Sequence, residues 1–164
     1  MPHLLELFSG TQGVSHTFAA HGWTTTTLDL DPKSKPDICC NSLDVTKEPL
    51  PQHVDCIWAS PDCTQNSNAR TTARLPRDME GADRLVRRAI EISGFYGCPL
   101  FLENPVGRLC GRGVVSTLNL RRVDGCQYKD ERFAATYKKT NVHMDQRILD
   151  PPASSLQSLD LPKL

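Results

Sequence analysis

Short apolar runs recur through the first part of the chain, separated by polar or glycine-containing turns. The runs are rich in leucine and β-branched residues, and Asp, Gly, Pro or Ser follows each of them closely, which is typical of buried strands. The pattern predicts strands at residues 3–8, 24–30, 38–40, 54–59 and 99–103, of which 38–40 is the weakest.

Two segments between these runs have helical periodicity. The first begins near Gly13 and ends at Gly22, and the second extends over residues 78–96. The apolar stripe of the second helix consists of Ala82, Leu85, Val86, Ala89 and Ile90. We expect its charged side chains to lie largely outside that stripe; they are Arg84, Arg87, Arg88 and Glu91.

The alternation of strands and helices predicts an α/β fold with a doubly wound, mostly parallel sheet of the Rossmann type. A chain of 164 residues suits one domain, at residues 1–150, followed by a tail at 151–164 that is rich in Pro, Ser and Leu. We expect this tail to be a docking arm or disordered. Residues 121–128 and 138–143 are predicted to form an antiparallel pair. Residues 64–77 lack apolar periodicity and are predicted to form a mobile loop.

Composition narrows the class of protein and leaves its ligand open. Lys plus Arg and Asp plus Glu both number 19, so any basic surface for nucleic acid has to be local. No apolar run approaches the roughly 20 residues that span a bilayer, and the first residues show neither the basic n-region nor the small-residue cleavage site of a secretory leader. We therefore expect an intracellular protein, neither secreted nor membrane-bound. Seven cysteines without C-x-x-C spacing favour reduced, mostly buried thiols over a metal site.

A glycine turn follows the first strand, in the sequence Leu7-Phe8-Ser9-Gly10-Thr11-Gln12-Gly13. Such a turn lets the backbone approach a ligand, and the N-terminus of the next helix faces that ligand. Asp29 ends the second strand, where a nucleotide ribose finds its acceptor, and Asp44 follows the third, where an adenine amino group could be bound. Tight turns and helix capping are the alternative roles of these residues. The G-x-G-x-x-G spacing of nicotinamide-binding proteins is absent.

Three short motifs stand out along the chain: Leu7-Phe8-Ser9-Gly10 with Gly13, Ser60-Pro61-Asp62-Cys63-Thr64 with Ser67, and Glu103-Asn104-Pro105. In their order and approximate spacing they resemble the motifs of the cytosine-C5 DNA methyltransferases. The resemblance spans residues 4–106, continues faintly to residue 140, and is closest to the short phage-type members. It implies a class I methyltransferase fold, S-adenosylmethionine as cofactor, and cytosine in DNA as substrate.

The resemblance also implies which residues carry the chemistry. Cys63 would add to C6 of a flipped-out cytosine while Glu103 protonates or hydrogen-bonds N3, with Asn104 holding the loop. The implied cofactor-binding residues are Phe8, Ser9, Gly10, Thr11, Gly13, Asp29, Leu30, Asp44, Ser60 and Pro61. The candidates for nucleic-acid contact are Arg70, Arg74, Arg77 and Lys139, with Arg132 as a further one. The alternatives are an incidental loop thiol at Cys63, a carboxylate at Glu103 paired with an arginine, and a solvated basic loop.

The chain departs from the family pattern at three points. Asp62 replaces the proline before the nucleophile, and its negative charge opposes thiolate formation at Cys63. Gln12 replaces a glycine and could narrow the cofactor pocket. The sequence ends where the family continues into a target-recognition domain, so a homodimer or a partner subunit would supply that surface.

Two other functions stay open at this point. One is a weak or inactive relative that acts by binding the cofactor or nucleic acid, and Asp62 favours it. The other is a methyltransferase of RNA or of a free nucleotide, which needs no DNA-reading domain.

Overall fold

The computed structural model describes residues 1–68, 70, 75–105, 107–109, 112–115, 118–123 and 140–145, the last two ranges as backbone only. The strands are β1 (His3–Leu7), β2 (Thr24–Asp29), β3 (Ile38–Cys39), β4 (Cys56–Ala59), β5 (Leu100–Pro105), β6 (Leu118–Val123) and β7 (Thr140–Asp145). The α-helices are α1 (Gly13–Ala20) and α2 (Met79–Tyr96), with short 3₁₀ turns at Pro32–Ser34 and Gly113–Val115.

The described strands form one seven-stranded sheet in the order β3-β2-β1-β4-β5-β7-β6. Strands β1 to β5 are parallel, and β7 runs antiparallel to both β5 and β6. The predicted Rossmann-like, mostly parallel sheet is confirmed. Because β1, β2, β4 and β5 are parallel, the turns that follow them all lie at one edge of the sheet, where open α/β sheets bind ligands.

The antiparallel pair predicted near the C-terminus is present, with shifted bounds. β6 ends at Val123 and β7 begins at Thr140, so residues 124–128 and 138–139 of the predicted pair lie outside the described residues. The tail at 151–164 lies outside them as well, and the domain boundary at residue 150 stays a prediction.

Both faces of the central sheet are covered. Successive side chains of a strand point to opposite faces, and Leu4 and Leu5 of β1 are both fully buried. Ile57 and Ala59 of β4 and Leu102 of β5 are also fully buried. Continuous apolar strands are therefore required here, as the sequence pattern indicates.

Among the described residues, no helix combines the length and the apolar character that crossing a membrane would require.

Helix α2 agrees with its sequence pattern at its ends and departs from it on one flank. Asp78 caps the N-terminus by accepting a hydrogen bond from the Gly81 N–H, and the helix ends before Gly97, whose φ is 63°. The expectation that Arg88 lies outside the buried stripe is wrong, because it is only 5% exposed. Its guanidinium is buried against backbone carbonyls of the segment that follows β3, which a helical pattern alone does not reveal.

Candidate active site

The turn after β1 is held against the end of β2. Gly10 has a φ of 46°, which favours glycine, and its N–H donates to the Asp29 carboxylate at 2.7 Å. The Ser9 N–H donates to the Leu28 carbonyl at 3.2 Å. The hydroxyl of Ser9 is buried and has no hydrogen-bond partner within the described part of the chain. The turn therefore brings a buried hydroxyl and a strand-end carboxylate together.

Gln12 occupies a backbone conformation that glycine adopts more readily. Its φ is 59°, a region that costs an L-residue roughly 1–2 kcal/mol. The side-chain amide compensates by donating to the carbonyls of Ser34 at 2.6 Å and Lys35 at 3.0 Å. Gln12 thus connects the glycine turn to the 3₁₀ turn after β2. This contact gives the departure from the family pattern a local structural role.

Glu6 is a functional candidate that the sequence patterns did not single out. Its carboxylate is only 4% exposed and accepts a hydrogen bond from the Ser15 N–H in the first turn of α1 at 2.8 Å. A negative charge at a helix N-terminus is stabilised by the unpaired N–H groups and the helix dipole. An acidic residue inside an apolar run just before a glycine turn was the available signal.

Asp44 and Leu30 complete the edge of the sheet beside Asp29. Leu30 is 68% exposed, although it is a large apolar residue directly after the strand-end carboxylate. Asp44 closes a turn in which its N–H donates to the Asn41 carbonyl at 2.9 Å, and its carboxylate is exposed. Burial raises the pKa of the neighbouring Cys40 thiol, and the charges of Cys39 and Asp44 raise it further. An exposed apolar side chain next to the Asp29 carboxylate, with a second exposed carboxylate after the neighbouring strand, suits the adenosine part of a ligand.

Asp62 shapes the loop that carries Cys63. Its carboxylate accepts hydrogen bonds from the N–H and the hydroxyl of Thr64. The Cys63 carbonyl then accepts from the N–H groups of Asn66 at 3.0 Å and Ser67 at 2.8 Å, which closes a tight turn. Aspartate side chains stabilise turns in this way, so Asp62 restrains the loop by hydrogen bonds where proline would restrain φ.

Glu103 and Asn104 lie at the end of β5, which pairs with β4. Asn104 is only 1% exposed, and its side-chain amide donates to the Pro61 carbonyl at 3.3 Å, two residues before Cys63. Its amide oxygen has no partner within the described residues. Asn104 thus joins the end of β5 to the loop of Cys63.

The surroundings of Cys63 and Glu103 shift the pKa of both groups. Burial raises the pKa of the Cys63 thiol, and the negative charges of Asp62 and Glu103 raise it further. Burial also raises the pKa of Glu103, and a hydrogen bond from the Ser60 hydroxyl opposes that rise. Each group therefore favours its neutral form more than it does in water.

Ser60 is oriented from the other side by Trp58. The indole N–H donates to the Ser60 hydroxyl at 2.9 Å, and the indole ring stacks on Phe101 of the neighbouring strand. A hydroxyl that accepts from an indole has its own proton free for an acceptor, here Glu103. Ser60, expected among the cofactor-binding residues, has its contacts at the chemical end of the site. Trp58 was not singled out from the sequence.

The loop of Cys63 packs closely on the segment after β5. The Arg108 N–H donates to the Asn66 carbonyl at 2.9 Å, and Ser67 forms a bridge with Gly107. A Cβ atom at Gly107 would lie 2.3 Å from the Asn66 carbonyl oxygen, so only glycine permits this approach. Asn66 is buried, and its side-chain oxygen has no partner in the described part of the chain. It too was missed, because nothing in the polar loop distinguishes it.

Two of the candidate phosphate-binding arginines bind the loop itself. Arg77 donates to the carbonyls of Gln65, Ser67 and Arg70, and Arg70 donates to the Gln65 side chain and the Leu75 carbonyl. Partial desolvation lowers the pKa of Arg77, and the positive charges of Arg108 and Arg70 lower it further. Among the described residues, neither guanidinium forms an ion pair with a carboxylate. The loop therefore carries local positive charge.

Some of the remaining candidate residues are described by the structure, and others are not. Arg74, Arg132 and Lys139 fall outside the described residues. Thr11 is exposed in the glycine turn, and Gly13 begins α1. Phe8, half-buried, has a φ of 58° and packs against the core. Within the described residues, no group of three or more His, Cys, Asp or Glu side chains could hold a metal ion.

Comparison with known proteins identifies the family. Over 156 residues the chain is 33% identical to a probable DNA (cytosine-5)-methyltransferase of Frog virus 3 (isolate Goorha), covering 87% of this chain and 70% of that protein. The chain belongs to the DNA (cytosine-5)-methyltransferase family. The resemblance noted in the sequence is thereby confirmed, and the chain belongs to the S-adenosylmethionine-dependent methyltransferases. No protein-family model matches it.

Solved structures agree on the fold. The Schizosaccharomyces pombe Dnmt2 methyltransferase superposes with a TM-score of 0.56 at 12% identity, over 88% of this chain and 50% of that one. A SAM-dependent methyltransferase from Archaeoglobus fulgidus gives a TM-score of 0.52 at 9% identity, over 87% and 85% of the two chains. The chain thus spans about half the length of the S. pombe protein, and the shared fold is that of the class I methyltransferases.

The contacts of Asp62 in this family member lead to a testable prediction about Cys63. Asp62→Asn keeps an oxygen that can accept from Thr64 and removes a negative charge that raises the pKa of the Cys63 thiol. We expect the pKa of Cys63 to fall and its alkylation by iodoacetamide to become faster at neutral pH. Peptide-resolved mass spectrometry across a pH series measures the rate at this cysteine alone.

Asp78→Asn is the matched control, because the Asp78 side chain also accepts a backbone N–H, at the N-terminus of α2, but is not among the groups that act on the thiol. Its alkylation profile should equal that of the unmodified chain. An unchanged profile for Asp62→Asn would contradict the electrostatic role of Asp62.

Proposed function

We propose that this chain transfers a methyl group from S-adenosylmethionine to C5 of cytosine in DNA, with Cys63 as nucleophile and Glu103 as the partner of N3. The observation that carries the proposal is that the loop of Cys63 and the end of β5 are joined: β4 and β5 are paired, and Asn104, next to Glu103, donates to the Pro61 carbonyl of that loop. The Glu103 charge acts directly on the thiol. A thiol and a carboxyl group so arranged suit covalent activation of a pyrimidine.

The residues at the other end of the sheet edge fit S-adenosylmethionine. The buried Ser9 hydroxyl, which has no partner among the described residues, and the Asp29 carboxylate suit the polar part of the cofactor. The exposed Leu30 side chain and the exposed carboxylate of Asp44 suit its adenine ring and amino group. When bound, S-adenosylmethionine supplies an electrophilic methyl group on its sulfonium.

The chain's own residues make cytosine reactive toward that methyl group. The thiolate of Cys63 forms a bond to C6, and Glu103 delivers a proton to N3, so C5 gains enamine character and takes the methyl group, whose bond to sulfur breaks to leave S-adenosylhomocysteine. A base then removes the C5 proton, β-elimination breaks the bond between C6 and the Cys63 sulfur, and the N3 proton returns to Glu103. Asn104 holds the Pro61 carbonyl and thereby the approach of Cys63 to the base.

The positive loop of Arg70 and Arg77 suits the phosphates of DNA next to the target base. Because both guanidiniums also bind loop carbonyls, we assign them a second task in shaping the loop. A homodimer or a partner subunit that supplies target recognition stays a prediction. Transfer of labelled methyl groups to DNA, RNA and free cytidine in parallel tests the substrate class, and label in RNA or cytidine alone would contradict DNA as substrate.

The cofactor site is tested by Asp29→Ala. We expect the affinity for S-adenosylhomocysteine to fall by roughly 10- to 100-fold, because the variant loses a charged hydrogen-bond acceptor and the contact that holds Gly10. Titration calorimetry on the purified chain measures it. Asp31→Ala is the control, since the Asp31 side chain accepts only from Lys33 within its own 3₁₀ turn, and the substitution keeps the backbone N–H that Asp31 donates to Asp29. Equal affinities for the two variants would argue against Asp29 as a ribose acceptor.

A further inference from the structure

Arg88 is a buried cation whose contacts converge on one segment of the chain. It is 5% exposed, and its Nε and Nη2 atoms donate to the carbonyls of Ser42 at 3.1 Å and Val45 at 2.6 Å. Its only carboxylate partner in the described part of the chain is Glu91, at 3.1 Å, whose side chain is 51% exposed. Burying a guanidinium is costly unless its donors are satisfied, and here two backbone carbonyls and the Glu91 carboxylate accept from it.

The two carbonyls flank Asp44 in the sequence. The segment is closed on its other side by Asn41, whose carbonyl accepts from the Asp44 N–H and whose side chain accepts from the Leu43 N–H. Ser42 and Val45 are buried, whereas Asp44 between them is exposed. The backbone is therefore fixed from inside on both sides of one outward-facing carboxylate.

The position of that carboxylate matters for the proposed cofactor site. Asp44 lies beside Cys40, the residue that follows β3. Strand β3 pairs with β2, which ends at Asp29. Within the described residues its carboxylate has no hydrogen-bond donor. A carboxylate recognises an exocyclic amino group only if its distance and orientation are held, because hydrogen bonds weaken steeply when they are misaligned.

We propose that Arg88 is a positioning residue for cofactor recognition: it holds the segment 41–45 so that Asp44 accepts the amino group of the adenine of S-adenosylmethionine. This inference rests on the proposed function. The guanidinium is suited to the task because its fixed fork reaches two carbonyls at once, whereas a lysine ammonium at the same site reaches only one of them at good geometry. The effect on the ligand passes through Asp44 alone.

The test compares S-adenosylhomocysteine with S-inosylhomocysteine, in which an oxygen replaces the adenine amino group. We expect the unmodified chain to bind the adenosyl ligand more tightly, and Arg88→Lys to lose most of this preference, a change of about tenfold. The affinity for the inosyl ligand should change little. Arg87→Lys, at the exposed neighbouring position, should keep the full preference.

A double-variant cycle separates positioning from general stability. Asp44→Ala should lose the same preference, and Arg88→Lys combined with Asp44→Ala should lose no more than Asp44→Ala does. Thermal unfolding of each variant shows that it is folded at the temperature of the titration. A folded Arg88→Lys variant that keeps the preference overturns the inference, as does additive loss in the double variant.

The outcome also distinguishes this inference from the proposed function. If the unmodified chain binds the adenosyl ligand and Asp29→Ala weakens binding, but the adenosyl and inosyl ligands bind equally, only the inference fails. If the unmodified chain binds neither ligand, the proposed cofactor site fails and the inference fails with it.

Lysine is chosen at position 88 because Arg88→Lys keeps the charge and one hydrogen bond, so the variant is expected to fold. Arg88→Met would leave two buried carbonyls unpaired.

Discussion

Replacing Cys63 by alanine is expected to lower the rate of methyl transfer to cytosine by about 10³-fold or more. The affinity for S-adenosylhomocysteine should stay unchanged. Without the sulfur no bond to C6 forms, and C5 of cytosine is too weak a nucleophile to accept a methyl group. Cys63 is half-buried in a turn closed by backbone hydrogen bonds, so alanine fits without disturbing the loop. Single-turnover transfer of labelled methyl groups, together with calorimetry, measures both quantities.

The control must separate this thiol from the other cysteines of the chain. Cys39→Ala removes an exposed thiol near the proposed adenine site and should retain activity. A DNA strand with 5-fluorocytosine gives a sharper result, because fluorine blocks the final elimination and leaves the enzyme attached to the base. We expect an adduct at Cys63, found by peptide mapping, and none in Cys63→Ala. An adduct at another cysteine would overturn the assignment of the nucleophile.

The sheet was largely predictable from the sequence because buried parallel strands need continuous apolar runs. The bounds of the strands were less predictable. The apolar run at 54–59 forms a strand only from Cys56, since pairing with β1 begins where Leu4 lies opposite Cys56. Arg88 shows a different limit. Helical periodicity places it beside polar neighbours, and only the packing of the segment after β3 against α2 explains why it is buried.

The residues of the candidate site also fall into those that the sequence predicted and those that it did not. Cys63 and Glu103 were predicted as site residues because each lies in a short motif at or just after the end of a strand, and β4 and β5 are neighbours in the sheet. Trp58 and Asn66 lie in no motif, and their roles depend on contacts across the fold with Ser60 and with the segment at Gly107. Such contacts are set by three-dimensional packing, which the order of residues in a loop does not reveal.

Glu103→Gln is expected to lower the rate of methyl transfer by roughly 10²- to 10⁴-fold, because glutamine can hydrogen-bond N3 but cannot protonate it. Cofactor affinity should stay the same, since Glu103 lies at the chemical end of the site. The Ser60 hydroxyl can still donate to the amide oxygen of glutamine, so the loop should keep its shape. Single-turnover kinetics at saturating cofactor measures the loss. Retention of full activity would exclude Glu103 as the proton donor.

The pH dependence of the unmodified enzyme follows from the raised pKa values of both groups. Between the pKa of Glu103 and the pKa of Cys63, the resting site holds a carboxylate and a thiol. The reactive form needs a thiolate and a carboxylic acid, which contain the same number of protons. The fraction of reactive form is therefore constant across this interval, and the rate should be flat with pH. It should fall below the pKa of Glu103 and above that of Cys63.

Glu103→Gln should replace this plateau by a slope. With no carboxylate to hold a proton, the thiol of Cys63 must lose its proton to solvent before it attacks. The residual rate should then rise about tenfold per pH unit until the pKa of Cys63 is reached. That pKa should itself be lower in the variant, because the Glu103 charge that raises it is gone. A variant whose rate stays flat with pH would show that Cys63 exchanges its proton with another group, and the paired roles of Cys63 and Glu103 would be wrong.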